Sequence, residues 1–199
     1  MPNDSGLLIV FEGIDNAGKT TQIKVVADRL SSKGRNVHIS QEMKTGIGQC
    51  FKTEFEAGKL SPKVKALLFA ADRYYRIETE IVPLLKQNAV VLADRWVLSS
   101  LVYRSIEGQG LELAEYINQD VIQPDITFVL DVDPDSAYYR GQKAKRHSPY
   151  SADFLKIARQ RYLELAEKQN LIVIDGSQPI EQVTDCIIQH LTFVLEKSK

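Results

Sequence analysis

Five short apolar runs punctuate the chain, at residues 7–11, 36–40, 89–93, 126–132 and 171–175. Unbroken apolar character, as in Leu7-Leu8-Ile9-Val10-Phe11 and Val90-Val91-Leu92-Ala93, is what parallel strands covered on both faces require. Between the runs lie longer stretches with apolar residues at helical spacing: 20–33, 62–87, 97–121, 152–168 and 180–196. Strand then helix, repeated, predicts an α/β fold: a three-layer, doubly wound, five-stranded parallel sheet with right-handed crossovers. Pro83 is expected to end or kink the long helix over 62–87. Residues 140–150 carry Gly, Pro and several basic side chains but no apolar stripe, and read as a mobile surface loop. No repeat, low-complexity tract or linker divides the 199 residues, so one domain is expected.

Composition narrows the function. A hydrophobic content of 44% supplies a substantial core for one domain of this length. The formal net charge of -1 gives no overall basic field, so neither nucleic acid nor a membrane is expected as a partner. Anion binding must then fall to local clusters. Cys50 and Cys186 lie far apart and form no C-x-x-C pair, which suggests reduced, structural thiols and a cytoplasmic setting. His38, His147 and His190 lack metal-ligand spacing, which argues against zinc. Residues 1–6 have no basic stretch, and the first apolar run is too short for a signal peptide or a span.

Chemistry concentrates after the first strand. Gly13 to Thr20 reads G-x-x-x-x-G-K-[ST], preceded by an apolar run and followed by a helix former, Gln22 to Leu30. Gly13 and Gly18 let the backbone curl so that successive N–H groups, across Ile14, Asp15, Asn16 and Ala17, point inward at anionic oxygens. The new helix adds its unpaired N-terminal donors, from Lys19, Thr20 and Thr21. Lys19 supplies a point charge for β- and γ-phosphates, and the Thr20 hydroxyl can ligate Mg²⁺. The pattern predicts ATP-like polyphosphate binding. Ligands of such sheets sit beyond the carboxyl ends of the strands. Gln41-Glu42 follows the second strand there, and Asp94-Arg95 the third. Asp94 suits an acid that helps hold hydrated Mg²⁺, although a helix-capping role beside Ser99 and Ser100 is an alternative. Arg95 suits a second phosphate group, gripped by a bidentate fork.

At this point the chain resembles the thymidylate kinase family of P-loop nucleoside monophosphate kinases. Three blocks carry the likeness: Phe11-Glu12-Gly13-Ile14-Asp15-Asn16-Ala17-Gly18-Lys19-Thr20-Thr21-Gln22, Leu67-Leu68-Phe69-Ala70-Ala71-Asp72-Arg73, and Asp94-Arg95-Trp96-Val97-Leu98-Ser99-Ser100-Leu101-Val102-Tyr103. A weaker fourth runs from Phe154 to Ala166. The resemblance implies Mg²⁺- and ATP-dependent phosphoryl transfer to dTMP, giving dTDP for the dTTP pool, in a homodimer. It implies that Phe69 stacks on the pyrimidine, that Arg73 donates to a base carbonyl and that Asp15 accepts from the sugar 3′-hydroxyl. Arg95 would grip the dTMP phosphate, with Ser99 also in the acceptor site, and Tyr103 would exclude a 2′-hydroxyl. Position 16 is Asn, so the catalytic cation is expected from a lid at about 140–152. Arg140 would pack on adenine, and Lys143 or Arg146 would contact the transferring group.

The chain also departs from the family's pattern. Bacterial members commonly read Arg-Glu-Pro-Gly-Gly-Thr after the second strand, where this chain has Gln41-Glu42-Met43-Lys44-Thr45-Gly46. Lys44 is the one nearby cation that could replace the missing Arg. Arg104 stands where a Gln or small polar residue often contacts the base, and Trp96 replaces the usual Tyr or His. Two alternatives stay open from the residues: a kinase of another monophosphate (dUMP or UMP), and a silent nucleotide-binding relative.

Overall fold

The strands form one parallel sheet in the spatial order β2-β3-β1-β4-β5, with β1 at Leu7–Glu12, β2 at Val37–Gln41, β3 at Val90–Asp94, β4 at Ile126–Asp131 and β5 at Ile172–Asp175. This is a computed structural model, and it describes residues 6–108, 111–145 and 148–197. The doubly wound parallel sheet expected from the apolar runs is therefore present. The connection from β1 passes beyond β3 to reach β2, whereas that from β3 returns across β1 to β4. Connections diverging from neighbouring strands open a crevice at their carboxyl ends. Register places Phe11 beside Asp94 and Asp94 beside Gln41, so the residues that follow all three strands share that edge.

Side chains alternate across a strand, and β1 uses both faces. Leu7, Ile9 and Phe11 belong to a core with Ile23, Val26 and Leu30 of α1 (Lys19–Ser32) and Ile187 and Leu191 of α9 (Ile180–Lys197). Leu8 and Val10 pack instead with Val91, Ala93, Ile77 and Ile81. Both faces are thus covered, which is why the run reads as continuously apolar.

Several helices differ from expectation. The 62–87 stretch is α3 (Pro62–Arg76), a π-helical turn at Ile77–Ile81, and α4 (Val82–Leu85), in direct succession. Pro83 neither ends it nor breaks it. Proline lacks an N–H and crowds the carbonyl four residues back; the wider turn, in which the Val82 N–H reaches the Ile77 carbonyl, relieves that crowding. The 97–121 stretch is two helices, α5 (Val97–Ile106) and α6 (Leu111–Ile117). Gly108, at φ 81, ends the first, as glycine does past a helix C-terminus.

Two helices were not expected. One is α2 (Gly46–Glu56), capped by Thr45, whose side chain accepts from the Gly48 N–H. The other is α7 (Pro134–Lys143), capped by Asp133 with Pro134 in its first turn. Arg140 to Lys143 therefore lie on the last turn of a helix and not in a loop, a correction to the reading of 140–150. Cys50 and Cys186 are free, as expected, but both are exposed, which does not suit a structural role in the core. The remaining helix, α8 (Ala152–Lys168), is where periodicity placed it.

Gly13, at φ +134, is a tight backbone approach in the crevice: a Cβ there would meet the Leu130 carbonyl oxygen at 2.5 Å. Gly13→Ala should therefore lower stability by about 3 kcal/mol, from backbone strain plus overpacking. Urea unfolding checks this, with a lower midpoint and an unchanged slope as the expected outcome.

Candidate active site

The glycine loop joins β1 to α1. Gly18, at φ 101, is the N-cap of α1 and has no side chain to cap it; the Thr21 and Gln22 N–H groups return to its carbonyl, and those of Lys19 and Thr20 are left for a ligand. Asn16 is also left-handed, at φ 61, a conformation Asn tolerates better than most residues. Within the loop, the Lys19 ammonium donates to the carbonyls of Gly13 (3.0 Å) and Ile14 (2.7 Å). Burial, with the nearby Arg95 charge, lowers the Lys19 pKa to about 8 against the pull of Asp94, Asp15 and Glu12.

The Thr20 hydroxyl donates to Asp94 at 2.7 Å, so the two candidate metal ligands are adjacent. A hydroxyl and a carboxylate beside a phosphate cradle are hard oxygen donors. They fit Mg²⁺, which takes one or two protein oxygens together with phosphate and water.

Arg95 lies between β3 and α5 with a left-handed backbone, φ 70. For a non-glycine residue this costs about 1–2 kcal/mol. What holds it is Glu12, at the end of β1 and fully buried. The Glu12 carboxylate accepts from the Trp96 N–H (2.8 Å), the Ser99 N–H (3.1 Å) and the Ser99 hydroxyl (2.5 Å). It thereby caps α5, whose own N-cap residue, Trp96, makes no side-chain cap. So constrained, the Arg95 guanidinium donates to the Gly13 carbonyl (3.2 Å), the Ser99 hydroxyl (3.1 Å) and Tyr162 (3.3 Å), and forms an ion pair with Asp15. Burial works against the Arg95 charge, but Tyr103 and Asp15 outweigh it and raise its pKa. Burial likewise pushes Asp15 up, while the Arg95 and Lys19 charges and donors from Ser148 and Tyr103 bring it below the usual carboxylate range.

Two cavities meet here. One, of about 730 Å³, is floored by Asn16 to Gln22 of the glycine loop and α1, and walled by Arg140 and the Gly176–Pro179 loop. Arg140 donates to the Gly176 carbonyl at 2.9 Å. The other, of about 590 Å³, is lined by Gln41, Glu42, Lys44, Phe69, Tyr103 and Arg104, among others. Asp15, Asp94, Arg95 and Ser148 line both. Phe69 is half-buried, its ring held edge-on by Phe51 and Phe55 at 5.3 Å each. Tyr103 donates to Asp15 at 3.2 Å, and burial raises its phenol well above the ordinary value, so it stays a donor.

Arg73 is placed differently from the rest. It is fully buried and does not line the cavity. Its guanidinium is taken up by Asn118, Glu42 (3.0 Å), the Trp96 carbonyl (3.1 Å) and Ser100 (2.9 Å). Lys143 ends α7, is exposed and lines neither cavity. Arg146 falls outside the described residues. Sequence reasoning missed Glu12, whose role depends on a partner 84 residues away, and Ser148, which donates to Asp15 at 2.6 Å. Tyr150 was missed as well; it stacks on Phe154 at 4.4 Å and meets the Tyr103 ring at 4.9 Å.

A phosphate cradle facing a second anion-gripping cavity across one sheet edge defines an ATP-dependent nucleoside monophosphate kinase. Comparison with known proteins agrees. The family model described as thymidylate kinase matches residues 11–187. A probable thymidylate kinase of Staphylothermus marinus is 34% identical over 97% of this chain and 100% of its own. One of Sulfurisphaera tokodaii is 38% identical, covering 91% and 93%, and a thymidylate kinase of Bifidobacterium longum subsp. infantis is 35% identical, covering 92% and 84%. The chain belongs to the thymidylate kinase family. Among the described residues, no helix is long and apolar enough to cross a membrane.

With its pKa lowered to about 8, Lys19 loses its proton in the free protein as pH rises through that value. A polyphosphate needs the ammonium form, so ATP affinity should fall about tenfold between pH 7 and pH 9. Isothermal titration with ATP across that range tests it, and proton uptake on binding above pH 8 is the accompanying signature. The sign for folding is opposite. The unfolded lysine holds its proton up to about 10.5, so this group makes the empty protein more stable as pH rises from 8 to 10.5.

Proposed function

We propose that the protein transfers the γ-phosphoryl group of ATP to dTMP, giving dTDP and ADP. The observation that carries this reading is the pair of cavities sharing Asp15, Asp94, Arg95 and Ser148. One is built for a polyphosphate, and the other sets an aromatic wall opposite an arginine. In this reading an oxygen of the dTMP phosphate attacks the γ-phosphorus, the bond to the β-bridging oxygen breaks, and ADP departs. The attacking phosphate is already an anion at neutral pH, so no strong general base is needed. Positioning and positive charge supply most of the catalysis.

Gly13, Ile14, Asp15, Asn16, Ala17, Gly18, Thr20 and Thr21 cradle the ATP phosphates with Lys19, and Arg140 packs near adenine. Thr20 and Asp94 would hold Mg²⁺, which when bound neutralises phosphate charge. Arg95, with Ser99, grips the acceptor phosphate; Phe69 stacks on the base, and Asp15 accepts from the 3′-hydroxyl. Arg73, its two terminal nitrogens taken by its own partners, fixes Glu42 and the wall behind the cavity. Lys44, which lines the acceptor cavity beside Gln41, stands in for the absent phosphate-contacting Arg. Lys143 and Arg146 are the cations a closing lid would bring to the transferring group. Tyr103, buried against Asp15, leaves no room for a 2′-hydroxyl. A cytoplasmic homodimer completes the reading. Support for the dimer comes from Val64, Leu67 and Tyr75, apolar and exposed on α3, with Ala71 on the same face.

A panel of monophosphates in a coupled ADP-release assay tests the function. dTMP should lead, UMP should be at least about tenfold slower in kcat/KM, and Lys19→Ala should lower kcat about 100-fold or more. Equal turnover of UMP and dTMP would sink the role of Tyr103. ATP binding with no acceptor-dependent ADP would sink the kinase. For the dimer, Leu67→Glu should halve the mass seen by light scattering.

A further inference from the structure

We infer that Gln22 and Thr184 are positioning residues for the donor nucleotide: together they set how far the wall that takes its base stands from the phosphate cradle. This rests on the kinase reading and names what fixes ATP in its own cavity. Gln22 is in the first turn of α1, directly behind the cradle, and Thr184 is in the second turn of α9. Both are polar and buried, with exposures of 4% and 0%. The Gln22 amide N–H donates to the Ile180 carbonyl at 3.1 Å, and its oxygen accepts from the Thr184 hydroxyl at 2.7 Å. The same hydroxyl lies 2.8 Å from the Ile180 carbonyl, which closes the cluster. A buried amide with a partner at each end is satisfied and holds its neighbours rigidly.

The cluster stands where floor and wall of the ATP cavity meet. Residues 16–22 make the floor, and residues 177–180 with Arg140 make the wall. The triphosphate belongs to the floor, because the helix donors and the Lys19 ammonium are there. The flat base is left with the wall, where Pro179 and Ile180 are apolar and exposed. That wall is the turn between β5 and α9, and it is fastened on both sides. Asp175 accepts from the Ser177 N–H at 2.9 Å and from the Gln178 amide at 2.7 Å, which sets the β5 side. On the α9 side the fastening is Gln22. Arg29 also ties α1 to α9, through Glu181 and Asp185, but this pairing is solvent-exposed and starts about two helical turns further from the cradle. Gln22 therefore governs the span from the phosphate seat to the base seat. A triphosphate that carries a base feels that span, and a bare triphosphate does not.

The test compares ATP with inorganic tripolyphosphate, each by titration calorimetry with Mg²⁺ present, in the unsubstituted protein and four variants: Gln22→Met, Thr184→Val, Thr184→Ser and Arg29→Met. Gln22→Met keeps the shape of the side chain and leaves the Thr184 hydroxyl its Ile180 partner, and the thermal midpoint reports whether it is folded. ATP affinity should fall about tenfold in Gln22→Met and about threefold in Thr184→Val, while tripolyphosphate affinity stays within about twofold. Thr184→Ser, which keeps the hydroxyl, should match the unsubstituted protein, and so should Arg29→Met. In turnover, the KM for ATP should rise in Gln22→Met with the KM for dTMP unchanged. An unchanged ATP-to-tripolyphosphate ratio in folded Gln22→Met overturns the proposal. So does an equal loss of both ligands, which is the mark of a merely structural residue. Should Gln22→Met not fold, the contrast between Thr184→Val and Thr184→Ser decides the same question. Failure of the unsubstituted protein to phosphorylate dTMP overturns the kinase reading alone, because neither binding measurement involves an acceptor.

Discussion

Glu12 is a carboxylate with no exposure, and the geometry of the site rests on it although it lines neither of the two cavities. Burying a carboxylate costs several kcal/mol unless donors replace its water. Here those donors are the first-turn groups of α5, which would themselves be orphans beside an N-cap residue that makes no side-chain cap. Each deficit answers the other. The consequence is directional: the end of β1 is tied to the start of α5 across the crevice, and the chain between β3 and α5 must turn sharply. Arg95 takes that turn in a left-handed conformation, and its side chain is thrown back over Gly13. One buried anion therefore sets where the glycine loop and the acceptor-facing arginine stand relative to each other.

Several charged groups of the crevice already have protein partners. Lys19 is held by loop carbonyls, Arg95 by Asp15, Asp94 by the Thr20 hydroxyl, and Arg104 by Glu107. Such pairing avoids an uncompensated buried charge, which would destabilise the fold by several kcal/mol. It also means that a substrate does not meet Lys19 or Arg95 bare. It must exchange one partner for another, and only the difference appears as affinity. The lowered Lys19 pKa is the visible sign of an incomplete exchange: two carbonyls solvate the ammonium less well than water or phosphate does.

The chain reads clearly wherever the cause is local. Apolar runs such as Leu7–Phe11 identify strands because both faces are covered, and the Gly13-to-Thr20 spacing identifies the cradle because glycine geometry is intrinsic to the backbone. Reading fails where the cause is distant or competing. Pro83 looks like a helix end, yet one π turn absorbs it. The helix α7 was hidden by the basic, glycine-containing stretch that follows, although Asp133 and Pro134 are a start signal that could have been used. Gly46 and Gly48 masked α2 in the same way, despite Thr45 before them. Arg73 and Phe69 are four apart and share a helical face, so spacing alone puts both toward a ligand. Spacing cannot report that Asn118 and Glu42, 45 and 31 residues away, already hold the arginine.

The Asp15–Arg95 pair gives the shared wall of the two cavities a selectivity of its own. An acid beside incoming phosphates is unfavourable unless its charge is offset, and here Arg95 and Lys19 offset it. In the proposed reading, an acceptor phosphate draws Arg95 toward itself, which strips Asp15 of its strongest partner. A free phosphate ion offers nothing in return, so the carboxylate loses its ion pair and keeps only the Ser148 and Tyr103 donors. A nucleotide carrying a 3′-hydroxyl replaces the lost donor in the same step. Ser148, which donates to the other Asp15 oxygen, ties the segment after α7 to that exchange. In that reading the wall favours an anion that brings its own hydroxyl, and it couples occupation of the acceptor cavity to Ser148, which lines both cavities.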